Sequence, residues 1–207
     1  MTTRTIVVVS GGLSVPSSSR LLADRLATAT ERALAERGDD AVVETVELRE
    51  HAHAITDHLL TGFATGDLRG VLDAVRGADG VILVTPVFSA SYSGLFKSFL
   101  DILEPGSLQA KPVLIGATGG TARHSLALEY AVRPLMSYAR ATVAPTAVYA
   151  ASSDWADGDA QSGLAARIDL AGAELADLVV GAPPVVVTDP FDEVTPFERL
   201  LSGEKDG

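Results

Sequence analysis

The chain has 207 residues, 47% of them hydrophobic and 21% charged, and it contains no cysteine. This composition predicts a single domain with a full core and excludes disulfides, thiol nucleophiles and thiolate metal sites, so any redox chemistry requires a bound organic cofactor. The formal net charge of -11 disfavours nucleic acid as a partner, because no basic stretch offsets the repulsion from phosphodiester backbones.

Short apolar stretches rich in β-branched residues predict five strands, and the segments between them have helical spacing. The predicted strands are 5–10, 41–48, 80–86, 111–118 and 141–150, and the predicted helices are 21–29, 68–75, 95–103, 126–136 and 162–180. Regular alternation of strand and helix predicts an α/β fold whose parallel sheet is covered on both faces. No apolar run approaches the roughly 18 residues of a membrane helix, and no secretory signal is evident, so we expect a cytoplasmic protein without a membrane partner.

Two segments depart from the alternation. Residues 49–66 hold His51, His53 and His58, and we interpret them as a variable helical loop on the surface rather than as a metal site, because they lie away from the strand ends. The proline-containing segment 183–207 is either a disordered end or an arm packed on a neighbouring subunit. The predicted organisation is therefore a domain at 1–182 followed by a tail at 183–207.

The loop after the first predicted strand, SGGLSVPSSSRLL at 10–22, is rich in glycine and hydroxyl groups. A helix beginning near Ser18 would present unpaired amides and a partial positive charge, which suits a phosphate. The glycine fingerprint of dinucleotide sites and the P-loop lysine are both absent, so the pattern favours the phosphate monoester of a mononucleotide, with Arg20 as a counterion. The alternative is structural: Ser17 or Ser18 caps the helix.

Two further loops follow the third and fourth predicted strands and face the same edge of a parallel sheet. The first, TPVFSASYSGLFK at 85–97, offers backbone amides and small side chains to a flat heterocycle, or is simply a turn whose aromatic residues complete the core. The second, ATGGTARHSL at 117–126, lets backbone approach a ligand closely. Its His124 is either a phosphate contact for a pyridine nucleotide or a structural histidine.

At these segments the sequence resembles the NAD(P)H-dependent FMN reductases. The resemblance is carried by TPVFSASYSGLFKSFLDIL at 85–103 and by ATGGTARHSLALEYAVRPLMSYARA at 117–141, the latter similar to the reductase partners of two-component alkanesulfonate monooxygenases. It implies a flavodoxin-like three-layer sandwich with a five-stranded parallel sheet of order 2-1-3-4-5. It also implies FMN, as cofactor or exchanging substrate, NADPH or NADH as reductant, and a homodimer or homotetramer.

The resemblance also implies roles for individual residues. The flavin phosphate would lie against Ser10, Ser17, Ser18 and Ser19, and the isoalloxazine along Pro86, Val87, Phe88 and Ser89, with Thr118, Gly119 and Gly120 closing the other side. Tyr130 would lie in an interrupted helix at a subunit interface, either near the flavin or as an ordinary interface aromatic. Many relatives carry Ser then Arg after the opening glycine, where this chain has Leu13 and Ser14.

The expected function is hydride transfer from a reduced nicotinamide to FMN, with reduced flavin passed to a partner monooxygenase. No side chain is expected to act as acid or base, because the two cofactors supply the reactivity. One alternative is a reductase that retains FMN and reduces quinones, azo dyes or metal oxyanions. Another is a flavodoxin-like electron carrier without nicotinamide turnover.

Overall fold

Seven β-strands form one sheet in the computed structural model, which describes residues 1–156 and 163–183. The strands are β1 (Thr3–Ser10), β2 (Asp40–Glu47), β3 (Gly80–Phe88), β4 (Ser91–Tyr92), β5 (Pro112–Gly119), β6 (Thr142–Val143) and β7 (Val148–Ala151). The helices are α1 (Ser18–Glu36), α2 (Ala52–Thr61), α3 (Leu68–Gly77), α4 (Gly94–Asp101), α5 (Arg133–Tyr138), α6 (Ser152–Ala156) and α7 (Leu164–Gly181). Short 3-10 turns lie at Leu48–His51 and Ala122–His124, and a π-helical turn lies at Leu128–Val132.

The strand order β2-β1-β3-β5-β6 confirms the α/β class and the flavodoxin-like arrangement, although the sheet has more than the five predicted strands. β4 is an addition, since it pairs antiparallel with the end of β3. The predicted strand 141–150 is divided into β6 and β7, which both pair parallel with β5. Pro145 lies in the gap between them and has no amide hydrogen to give to a sheet ladder, so the fifth position of the sheet is interrupted there.

Both faces of the sheet are buried, as the continuous apolar strands predict. Alternate residues of β1 enter different cores: Val7 and Val9 pack on the side of α2, α3 and α4, whereas Ile6 and Val8 pack on the side of α1 and α7. Ser10 continues the second set and therefore lies on the α1 side of the sheet. α1 and α7 approach closely, because a Cβ added to Gly172 would lie 2.8 Å from the backbone of Ala29.

The histidine-bearing segment 49–66 contains the whole of α2, as its helical prediction expected, and ends in a non-helical stretch at 62–66. Within 1–156 and 163–183, no group of His, Asp or Glu side chains is arranged to hold a metal ion. In the same part of the chain, no helix is long and apolar enough to cross a bilayer. The predicted tail 183–207 lies outside the described residues apart from Pro183.

Candidate functional site

Three loops converge on one cleft of about 370 Å³ at the carboxyl ends of β1, β3 and β5. This is the edge of a doubly wound sheet where ligands bind, and the volume lies in the range of small-molecule pockets. The cleft contains every predicted site residue except Ser10 and Ser89. Its lining consists of Gly12, Leu13, Ser14, Ser17, Ser18, Ser19, Pro86, Val87, Phe88, Thr118, Gly119, Gly120, Ala150, Ser152 and Trp155.

The first loop ends in the amino terminus of α1. Ser17 is the N-cap residue, and its Oγ accepts a hydrogen bond from the Arg20 amide at 3.2 Å, so Ser17 does cap the helix. The same hydroxyl keeps its proton and can still donate to a ligand. Ser18 is exposed and begins the helix. A Cβ on Gly12 would collide with the Ser17 Oγ, so a larger residue at that position would displace the capping hydroxyl.

Three buried hydroxyls lie at or beneath this loop. Ser19 and Thr118 share a hydrogen bond of 2.8 Å, which joins the first loop to the third across the sheet. Ser10 is only 1% exposed, and its Oγ has no hydrogen-bond partner among the described residues. An unsatisfied buried hydroxyl costs free energy, so a ligand that accepted its proton would be favoured. Ser10 is not part of the cleft lining itself, because it lies at the end of β1 beneath the loop.

Arg20, expected as a counterion of the phosphate, pairs with two carboxylates of the protein instead. Its guanidinium donates to Asp24 at 2.7 Å and to Glu47 at 3.0 Å, and it does not line the cleft. The hydrogen bond to Asp24, followed by the charges of both carboxylates, raises the pKa of Arg20 against the opposing effect of desolvation. The hydroxyls and amides of the first loop therefore face the cleft without an arginine.

The second loop turns back on itself at the end of β3. Ser89 and Ala90 have positive φ angles of 49° and 69°, and the chain returns as β4 with Val87 paired to Tyr92. Ser89 follows the last lining residue of this loop, Phe88, and does not itself line the cleft, so its contact with the ring stays a prediction. Phe88 lines the cleft and is 47% exposed.

The third loop is held from below by Tyr149 of β7. The Tyr149 hydroxyl donates to the Thr121 carbonyl at 2.8 Å, and burial raises the pKa of that hydroxyl. A Cβ on Gly119 would collide with the same hydroxyl. Gly119 thus leaves room for the tyrosine that anchors the loop. His124 is exposed on the turn Ala122–His124 and does not line the cleft.

Several lining residues were missed by the sequence predictions. Gly12 is the second glycine of the first loop, and Leu13 and Ser14 follow it directly. Ala150, Ser152 and Trp155 come from the end of β7 and from α6. The rule that ligands bind at the carboxyl ends of parallel strands, applied to the fifth strand as well, could have found this side of the cleft.

Tyr130 lies in the π-helical turn Leu128–Val132 and is 79% exposed. The predicted helix 126–136 is therefore interrupted, with α5 beginning only at Arg133. π-helical turns occur frequently at functional sites.

Comparison with known proteins gives consistent matches over most of the chain. The family model described as NADPH-dependent FMN reductase matches residues 4–156. The FMN reductase (NADPH) of Pseudomonas aeruginosa is 36% identical over 179 residues, which are 85% of this chain and 92% of the relative. The NADH-dependent FMN reductase SfnF of Pseudomonas fluorescens is 35% identical over 176 residues, 84% of this chain and 90% of the relative.

Solved structures agree with these matches. An oxidoreductase from Corynebacterium diphtheriae is 43% identical with a TM-score of 0.84, and the match covers 88% of this chain and 100% of that one. The apo form of the NADH:FMN oxidoreductase EmoB is 28% identical with a TM-score of 0.72, covering 88% of this chain and 93% of that one.

Proposed function

The chain belongs to the NADPH-dependent FMN reductase family, and we propose that its cleft binds FMN and a reduced nicotinamide dinucleotide so that a hydride passes from the second to the first. The bound flavin supplies the electron-accepting ring, and the nicotinamide is oxidised to NAD(P)⁺. The observation that carries the proposal is the cleft itself, in which a hydroxyl-rich helix amino terminus and two strand-end loops meet.

The first loop fits the phosphate of FMN. The first amides of α1 have no partner within the helix, and the helix dipole places partial positive charge there. Ser17 and Ser18 add hydroxyl donors, and Ser10 adds a buried hydroxyl without a partner among the described residues. A helix amino terminus together with an orphaned hydroxyl on the same side of the sheet is suited to a phosphate monoester.

The second and third loops fit the ring. Pro86 and Thr118 are paired across neighbouring strands β3 and β5, so the residues that follow them face each other across the cleft. Val87 and Phe88 offer apolar surface on one side, and a Cβ on Gly120 would meet nothing within 4 Å, so backbone is open there. These contacts would orient a flat ring between the loops.

In residues 1–156 and 163–183, no titratable side chain lines the cleft. Hydride transfer between two stacked rings requires proximity and orientation rather than an acid or a base. The residues of the cleft therefore bind and position, and we assign none of them a proton transfer.

Release of reduced flavin to a partner monooxygenase is part of this proposal. No arginine or lysine of the described part of the chain lines the cleft. This favours FMN as an exchanging substrate, because phosphate held by neutral donors alone is held less strongly than phosphate paired with a cation. We further propose a cytoplasmic homodimer or homotetramer. The exposed Leu126, Tyr130 and Tyr138, beside or within α5, support such an interface.

Two measurements test the proposal. Loss of nicotinamide absorbance on mixing the protein with NADPH and FMN should be catalytic and should saturate in added FMN. A protein that retains FMN through purification, or that shows no dependence on added FMN, contradicts the exchanging-substrate proposal. No turnover at all contradicts the reductase.

The phosphate contact is tested by the ratio of FMN to riboflavin affinity in fluorescence titrations. Ser18→Ala removes an exposed hydroxyl while leaving the Ser17 cap in place, and we expect it to lower this ratio by about tenfold, the effect of one hydrogen bond to a charged group. Thr28→Ala, which removes an exposed hydroxyl farther along α1, is the matched control and should leave the ratio unchanged. A wild-type protein that binds FMN and riboflavin equally contradicts the phosphate site.

A further inference from the structure

Trp155 is the only tryptophan of the sequence, and it borders the cleft on the same side as the opening of α1. Arg25, in the second turn of α1, places its guanidinium 5.2 Å from the centroid of the Trp155 ring, a cation–π contact. The ring is thus held against the helix whose amino terminus carries Ser17 and Ser18. Neither the phosphate contacts nor the ring contacts proposed above use this aromatic surface.

The cleft that Trp155 borders is open at the first loop. Leu13 is 51% exposed, and Ser14 and Ser18 are exposed as well, although all three line the cleft. A ligand whose phosphate lies at the start of α1 can therefore extend past the first loop. None of the described residues that line the cleft is acidic, so none of them would repel a second phosphate on this path.

We propose that Trp155 is a stacking surface for the adenine ring of a dinucleotide, an assignment that rests on the proposed flavin site. In FAD, the phosphate at the start of α1 continues into a second phosphate and the adenosine, so the adenine would lie past the first loop, on the side of Trp155. In NAD(P)H, bound beside FMN, the adenine would reach the same ring from the nicotinamide side of the cleft. Every base presents a π-face that an aromatic side chain can cover. The contact with Arg25 restrains the indole in advance, which reduces the entropy lost on stacking.

Two substrates contain this adenine: FAD, as a flavin larger than FMN, and NAD(P)H, as the reductant. The chemistry of recognition is the same for both. The experiments below detect the adenine site first and then identify its source.

Because Trp155 is the only tryptophan, its emission reports on this position alone. We expect millimolar AMP to change the emission of the wild-type protein in a saturable manner, with ribose 5-phosphate as the matched control that lacks the base and produces no change. Phe63→Ala, which removes an aromatic side chain that is 74% exposed and lies outside the cleft, should respond to AMP as wild type does. An emission that does not respond to millimolar AMP overturns the proposal without any reference to turnover.

The source of the adenine is identified by kinetics of Trp155→Ala, with Trp155→Phe as the conservative variant. If the source is FAD, the ratio of kcat/KM for FAD to that for FMN falls by about fivefold or more, the effect of losing one base–aromatic stack. If the source is the reductant, the same loss appears for NADPH and is absent for reduced nicotinamide mononucleotide. In either case Trp155→Phe restores most of the loss, because it keeps an aromatic face.

The proposal and the reductase function fail separately. A folded Trp155→Ala protein with both ratios unchanged overturns the adenine site, while its FMN turnover leaves the reductase in place. Wild-type protein that responds to AMP without oxidising NADPH in the presence of FMN contradicts the reductase alone. If Trp155→Ala does not fold, the AMP titration of the wild-type protein decides the proposal.

Discussion

The hydrogen bond between Ser19 and Thr118 can be tested by a double-mutant cycle, because it joins two loops of the cleft and both hydroxyls are buried. The residues are 2% and 6% exposed, and their oxygens are 2.8 Å apart. Ser19→Ala leaves the Thr118 hydroxyl without this partner, which costs about 1–3 kcal/mol of unfolding free energy. Thr118→Val keeps the side-chain shape and leaves the Ser19 hydroxyl without its partner, at a similar cost. In a domain of this size each change lowers Tm by roughly 2–12 °C.

The double variant should lose less than the sum of the two single variants, because neither hydroxyl is then left unpaired. We expect a coupling of about 1 kcal/mol in urea unfolding. Thr28→Ala, an exposed hydroxyl of the same helix, is the control and should combine additively with Thr118→Val. Additivity of Ser19→Ala and Thr118→Val within about 0.5 kcal/mol would show that the two loops are not joined in this way.

Three further predictions concern other contacts. Gly172→Ala should destabilise the protein by about 1–3 kcal/mol in urea unfolding, because the new methyl overpacks the contact with α1. Gly70→Ala is the control: open space surrounds Gly70, so the change should stabilise α3 by about 0.5–1 kcal/mol. Equal effects of the two changes would contradict the close approach of α7 to α1. Tyr149→Phe removes the donor to the Thr121 carbonyl, which loosens the third loop. It should therefore raise the KM for FMN with little change in kcat. An unchanged KM would show that other contacts hold the third loop. Burial lowers the pKa of Lys111 to about 8, so between pH 8 and 10 this side chain holds more protons in the unfolded chain than in the folded one. The unfolding free energy of wild type, relative to that of Lys111→Met, should therefore rise by about 2 kcal/mol between pH 8 and 10. A difference that does not change with pH contradicts the lowered pKa.

The prediction of the fold from sequence depended on patterns that local physics produces. Apolar β-branched runs separated by helical spacing predicted β1, β2, β3 and β5, each within a few residues of the observed bounds. The division of the fifth strand was missed although Pro145 stood in it, because a proline removes one amide without showing whether the strand resumes. The chain reversal at Ser89 and Ala90 was also missed, because positive φ at residues other than glycine has no composition signal.

For the candidate site as well, the sequence predicted the loops but not the contacts of their side chains. Glycine and hydroxyl clusters after apolar runs indicated which loops would meet, since the carboxyl ends of parallel strands share one edge of the sheet. The partners of individual side chains were not predictable: Arg20 is engaged by Asp24 and Glu47, and Ser19 is engaged by Thr118. These contacts depend on distances between segments far apart in the chain.

The alternation of strand and helix, the burial of both sheet faces and the three loops of the cleft were predictable from the residues alone, because hydrophobic periodicity and turn-forming residues act over a few neighbours. The availability of hydroxyls to a ligand, the anchoring of the third loop by Tyr149 and the position of Trp155 at the cleft depend on contacts between distant segments. Hydrogen bonds and ring contacts of this kind require two side chains to reach each other within a few tenths of an ångström, and the packing of helices on the sheet sets that distance.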